Sequence, residues 1–145
     1  STSVAAVGVA AHEAGHAVQH AKGYSFIRLR NSLVPVANLG SKLSIPLIII
    51  GLVLLGAENA IGMPVVYFGI ALFSLAVIFQ IVTLPVEFDA SNRAIKTLST
   101  QGYLQGAEIG MVKKVLSAAA MTYVAAAATS IAQLLRLILI ARDRD

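Results

Sequence analysis

The sequence predicts a mainly α fold, a polytopic membrane bundle of helices with at most one short strand. Three observations predict it. Apolar residues make up 57% of the 145-residue chain and charged residues only 12%, where an average soluble domain has about 25% charged. Three long apolar stretches lie beyond residue 40, each close to the roughly 20 residues that crossing a bilayer requires. One polar constellation interrupts an otherwise apolar N-terminal run, and its spacing, His12-Glu13-Ala14-Gly15-His16, is helical.

The first element is a helix over residues 1–22. Ser3 or Thr2 caps it, residues 4–18 are nearly all Ala, Val or Gly outside the motif, and Gly23 stops it. Four residues turn a helix through about 400°, so His12 and His16 stack on one face and offer two imidazole nitrogens to a single tetrahedral Zn²⁺. Glu13 stands about 60° round from His16. From there its carboxylate reaches a metal-bound water without being a ligand, the position of a general base. A chance His-Glu-x-x-His in a chain of this length arises in roughly one protein in a few hundred. Three polar side chains in so apolar a helix have no other evident purpose. The helix is therefore read as zincin-like.

Between that helix and the next, Phe26-Ile27-Arg28-Leu29-Arg30 alternates apolar and basic residues, the pattern of a short strand. Two readings stand side by side: an edge strand that pairs with an extended peptide substrate, and a basic segment beside lipid headgroups.

Residues 41–62 form the first predicted span, dense in Ile and Leu. Residues 64–86 form the second and strongest, uncharged throughout with a single amide at Gln80. An Ala-rich helix over residues 106–142 closes the chain. Its small residues suit close packing within a bundle, and whether it crosses the bilayer stays open because it carries Arg136. The loop over residues 57–63, between the apolar core of the first span at 43–56 and the second span, holds Glu58 and no basic residue. The flanking segments hold Lys22, Arg28, Arg30 and Lys42 on one side and Arg93, Lys96, Lys113 and Lys114 on the other. By the positive-inside rule the motif faces the cytoplasm, although Arg136, Arg142 and Arg144 oppose this if the last helix spans.

A catalytic zinc needs a third protein ligand and one open position. The chain has no cysteine, so that ligand is His or a carboxylate. His20 lies about 80° round the helix from His12 and is read as a surface or supporting residue. Two carboxylates follow the strongest span, in Leu84-Pro85-Val86-Glu87-Phe88-Asp89. Pro85 belongs in the first turn of a helix, so the chain is expected to kink near residues 83–85 and start a new helix over residues 85–101, ended by Gly102. Glu87 and Asp89 project to nearly opposite faces, so only one faces the metal. Glu87 is preferred because Ala90, Ser91, Ala94 and Leu98 lie near its side. Asp89 remains the alternative ligand, and a helix-dipole carboxylate the alternative role for Glu87.

His-Glu-Ala-Gly-His-Ala-Val-Gln-His over residues 12–20, Leu-Pro-Val-Glu-Phe-Asp-Ala-Ser-Asn-Arg-Ala over residues 84–94 and the downstream Ala-Ala-Ala-Met-Thr-Tyr-Val-Ala-Ala-Ala occur here in that order. The chain resembles the YugP-like neutral zinc metallopeptidases, a family of bacterial membrane proteins, over nearly its whole length. The resemblance implies a multi-pass protein of the bacterial inner membrane and further elements N-terminal to residue 1. A more distant similarity is to the HtpX and CAAX prenyl endopeptidases, whose third-ligand Glu is followed by an aromatic residue, any residue, Ala and Asp. Carried across, the ligand is Glu87, the aromatic Phe88 and the alanine Ala90. The closing Asp is replaced by Ser91, so the carboxylate that orients a ligating His must be found elsewhere, with Ser91, Asn92 and Asp89 as candidates. The motif also resembles that of the FtsH peptidase, but the chain has no nucleotide-binding loop. It lacks as well the Asn-Pro-Asp-Gly-like block of site-2 proteases.

These residues specify a zinc endopeptidase. Zn²⁺ on His12, His16 and Glu87 brings the pKa of a bound water to about 7, and Glu13 takes the proton and passes it to the leaving amine. Tyr123, Arg93 and Arg136 are candidate donors to the developing oxyanion. The expected partners are a peptide or protein substrate, membrane proteins included, the lipid bilayer, and a second copy or an N-terminal partner chain. A different class stays open, a catalytically inactive pseudo-protease scaffold packing through the Ala-rich helix. The net charge of +4 is scattered and no aromatic platform interleaves it, which argues against nucleic-acid binding.

Overall fold

The computed structural model describes residues 2–144, Thr2 by its backbone alone. Four helices follow one another, α1 (Thr2–Ala21), α2 (Ser25–Gly56), α3 (Gly62–Thr100) and α4 (Ala107–Arg144), with no strand among the described residues. The helical membrane architecture agrees with the sequence. α2, α3 and α4 are each long and apolar enough to cross a membrane, and at most 33% of the most apolar window of any of them is buried within the protein. Apolar faces left outward to this extent suit lipid rather than water.

Ser3 lies inside the first turn of α1 instead of capping it, and the side chain of Thr2, the other expected cap, is outside the described residues. At the C-terminus Gly23 adopts φ +67, its N–H bonds the His20 carbonyl, and the Tyr24 N–H bonds the Gln19 carbonyl. This is a Schellman turn, and the left-handed position is why glycine is needed there. The turn feeds directly into α2, so the strand expected over residues 26–30 is a helical turn. Its alternation is too short to distinguish two-residue from helical periodicity. Ile27 is fully buried while Phe26 and Leu29 are exposed. Beside a membrane a helix satisfies its own backbone, whereas a lone strand needs a partner, so the edge-strand reading falls with it. The apolar segment expected at 41–62 is the later part of a helix that starts at Ser25 and ends at Gly56.

The other departure is at Pro85. α3 runs unbroken from Gly62 to Thr100 with Pro85 in its interior. Proline removes only the bond that its own N–H would make to the carbonyl four residues back, at Ile81. Ending one helix and starting another at the lipid boundary would leave several backbone groups unpaired. Glu87 therefore sits deep in α3 and not in a first turn, which removes the helix-dipole role.

The chain divides into two compact units, one formed by residues through Leu29 with Val82–Ala125, the other by Arg30–Ile81 with Ala126 onward. In the first, Val4, Ala94, Leu98, Leu104, Val112 and Leu116 form the core. In the second, Ile48, Val66, Ile70 and Ala141 do so.

Candidate metal centre

α1 meets α3 at a point where two backbones nearly touch. A Cβ on Gly15 would stand 2.6 Å from the carbonyl oxygen of Ala90, which is itself fully buried. Any side chain at position 15 would force the helices apart. The glycine in the middle of the motif thus sets the depth at which His12 and His16 reach α3.

The two imidazoles face Glu87 across this contact. His12 Nε2 lies 3.1 Å from Glu87 Oε2, and His16 Nε2 lies 3.4 Å from Glu87 Oε1. The rings stand edge to face with centroids 4.7 Å apart. Ligand atoms about 2.0–2.1 Å from a tetrahedral Zn²⁺ stand about 3.3–3.4 Å from one another, so two neutral imidazole nitrogens and a carboxylate at these separations fit one such ion. Glu87 is nearly buried, with 7% of its side chain exposed. A carboxylate is held there most favourably against cationic or metal charge.

Glu13 is the rival acid, since one of its oxygens lies within 4.8 Å of a nitrogen of each ring. It approaches His12 from the Nδ1 side, at 3.8 Å, and its side chain is 71% exposed. Glu87 alone addresses the Nε2 atoms of both rings. The structure thus places Glu87 opposite the imidazoles and Glu13 beside them at the open side.

Behind His16 lies a partly buried chain of hydrogen bonds. Gln19 is fully buried, one helical turn after His16. Its Nε2 donates to the Val86 carbonyl at 2.9 Å and to Asp89 Oδ2 at 2.8 Å. Both neighbours accept only, so the amide nitrogen must be at that end and the oxygen faces His16. That oxygen is 2.9 Å from His16 Nδ1, which must therefore carry the proton, leaving the Nε2 lone pair directed at the Glu87 side. Asp89 also accepts from Arg93 Nε at 2.6 Å, and the Arg93 guanidinium stands over the Tyr24 ring, 5.8 Å from its centroid. Burial raises the Tyr24 phenol above its ordinary value, the Asp89 carboxylate adds to the rise and Arg93 opposes it.

Asp89, weighed in the sequence as an alternative ligand, is joined to the centre through Gln19 instead. It stands two hydrogen bonds from His16, while Ser91 occupies the position of the Asp in the more distant resemblance. Gln19 is the residue that sequence reasoning missed. Its only signal was a buried-face position three residues after His16.

A cavity of about 170 Å³ opens beside the centre, lined by His12, Glu13, Glu87, Ser91 and, from α4, Val115, Ala119 and Tyr123. Of the three candidate oxyanion donors the structure brings Tyr123 to it. Arg93 is held by Asp89 and lines a separate groove, and Arg136 belongs to the second unit. His20 is exposed in the last turn of α1 and stands outside the His12–Glu13–His16 group.

Residues 1–142 match the family described as "Putative neutral zinc metallopeptidase". The chain belongs to this family. It is 49% identical over 138 residues to the "Putative membrane protease YugP" of Bacillus subtilis (strain 168), an alignment covering 95% of this chain and 59% of that protein. The chain thus spans about six-tenths of the length of this curated relative. No solved structure matches it. With three helices suited to crossing a bilayer and a relative named as a membrane protease, the chain is a membrane protein.

Proposed function

We propose that the chain carries the catalytic centre of a zinc-dependent endopeptidase of the bacterial inner membrane, with His12, His16 and Glu87 as metal ligands and Glu13 as general base. The observation that carries this reading is the pair of short separations between the Glu87 carboxylate and the two Nε2 atoms. A zinc bound there supplies Lewis acidity and a water of pKa about 7. Glu13, exposed at the cavity edge and free of the Nε2 side, takes the proton of the attacking water and hands it to the leaving amine. Tyr123 lines the same cavity and donates to the developing oxyanion. Gln19 and Asp89 hold His16 in the tautomer that presents Nε2.

The substrate is a peptide or protein, membrane proteins included, because the cavity opens in a chain whose helices suit lipid. The distribution of Lys and Arg around the short Glu58 loop supports a centre facing the cytoplasm. The test is proteolysis of an unfolded protein by the full-length enzyme. Cleavage requires zinc, and Glu13→Gln retains the metal while losing turnover. A Glu13→Gln enzyme that cleaves at the native rate removes Glu13 from the base role.

A further inference from the structure

We infer that the α1–α3 contact carries a second site, a receptor for a phosphate group of the kind an anionic phospholipid headgroup bears. A groove of about 500 Å³ is lined by Lys22, Arg93 and Lys96 with Asn92, Thr97 and Thr100. Ala11, Gly15 and Val18 on α1, with Lys22 in the turn just after it, recur at the helical repeat on a different face from His12, Glu13 and His16. The groove therefore lies across the contact from the metal centre.

Three features point to a phosphate. The lining holds three cations and no acid. Neither Lys22 nor Lys96 has an acidic partner among the described residues, and Asp89 engages Arg93 through Nε. Asn92 and Thr97 add neutral donors of the kind that phosphate oxygens accept from, while Ala14 and Val18 give an apolar wall; the Thr100 hydroxyl donates to the Lys96 carbonyl. The bond to Asp89 also holds Arg93 in place, so part of the groove is preorganised.

Depth along α3 favours a lipid source. Arg93 lies seven residues beyond Val86, where the uncharged run ends, which is about 10 Å along the helix. The headgroup layer is roughly 5–7 Å thick, and a long Arg or Lys side chain spans the remainder. Basic pockets at that depth suit anionic headgroups.

The test uses full-length protein in neutral detergent, titrated separately with short-chain phosphatidylglycerol, short-chain phosphatidylcholine and inorganic phosphate. Phosphatidylglycerol is expected to saturate at one per chain and to outcompete phosphatidylcholine at least tenfold. Lys22→Gln with Lys96→Gln, both exposed positions, should weaken it about thirtyfold, from about fivefold per basic residue. Helical circular dichroism and the melting temperature of the double variant should match the wild type, which shows that the fold is intact. Saturation by inorganic phosphate with the same sensitivity, and no advantage for the lipid, upholds the site with a soluble phosphate as its ligand. Absence of saturable binding by either probe, or binding indifferent to the double substitution, overturns the inference. It stands independently of the peptidase reading, since neither lysine touches the metal centre.

Discussion

Gly15 lies against Ala90 so closely that a Cβ on the glycine would stand 2.6 Å from the alanine's carbonyl oxygen. This single contact sets how far the His-bearing helix sinks towards Glu87. Backbone is on the far side, so no flexible side chain can yield. Gly15→Ala should therefore destabilise by about 1–3 kcal/mol, the usual range for overpacking, and should lower zinc affinity at least tenfold. Gly110 in α4, with nothing within 4 Å of its Cβ position, is the control. Gly110→Ala should leave zinc binding unchanged and, by its gain in helix propensity, melt no lower. Thermal melts and zinc titrations of both variants decide the matter.

Gln19 should behave as a positioning residue for His16. Gln19→Ala removes the acceptor at Nδ1 and leaves Asp89 without one of its donors, so zinc affinity should fall by about 10–100-fold. Gln19→Glu restores an acceptor facing His16 but sets a carboxylate against the Val86 carbonyl and Asp89, two groups that only accept. It should fail to rescue. A competition titration for zinc that finds Gln19→Glu equal to the native protein would sink this account of the network.

Metal should stabilise the unit that contains α1. A ligand that binds only the native state, at a free concentration about 1,000 times its dissociation constant, contributes about 4 kcal/mol. Chelation should accordingly lower the melting temperature followed by helical circular dichroism. His16→Ala should melt low already and show no response to chelator or zinc. An equal shift in both proteins would place the effect outside the centre.

Pro85 gives a test of the continuous α3. Because the helix passes through it, Pro85→Ala supplies a missing N–H without redirecting Glu87. The variant should keep its zinc and melt no lower than the native protein. Loss of zinc would show that the proline's local geometry is needed to aim the carboxylate.

The parts of this molecule that the sequence made legible rest on residue type and spacing. The pair His12 and His16 is local to one helix, and a chain without cysteine has only His20 and its carboxylates to offer a third ligand, so Glu87 could be weighed without knowing any contact. Three long apolar helices were legible from length and low charge, although the first starts at Ser25 rather than near residue 41. What escaped were balances between local and distant terms. At Pro85 the local penalty of one lost hydrogen bond predicts a break, whereas the lipid boundary makes a broken helix costlier. Over residues 26–30 a five-residue alternation predicts a strand, but the Schellman turn at Gly23 launches a helix and buries Ile27. Gln19 escaped because a neutral amide has no charge to draw notice and its partners, Val86 and Asp89, are some 70 positions away. Polarity alone makes Arg93 a candidate oxyanion donor, and only the fold shows that Asp89 holds it at the other groove.

The most direct test is zinc content of the full-length protein, by mass spectrometry of the metal, in Glu87→Ala and Asp89→Ala prepared side by side at saturating zinc. One zinc per chain is expected in the native protein and in Asp89→Ala, the latter with lowered affinity, and none in Glu87→Ala. Full zinc in Glu87→Ala together with its loss from Asp89→Ala would contradict the assignment of Glu87 to the metal.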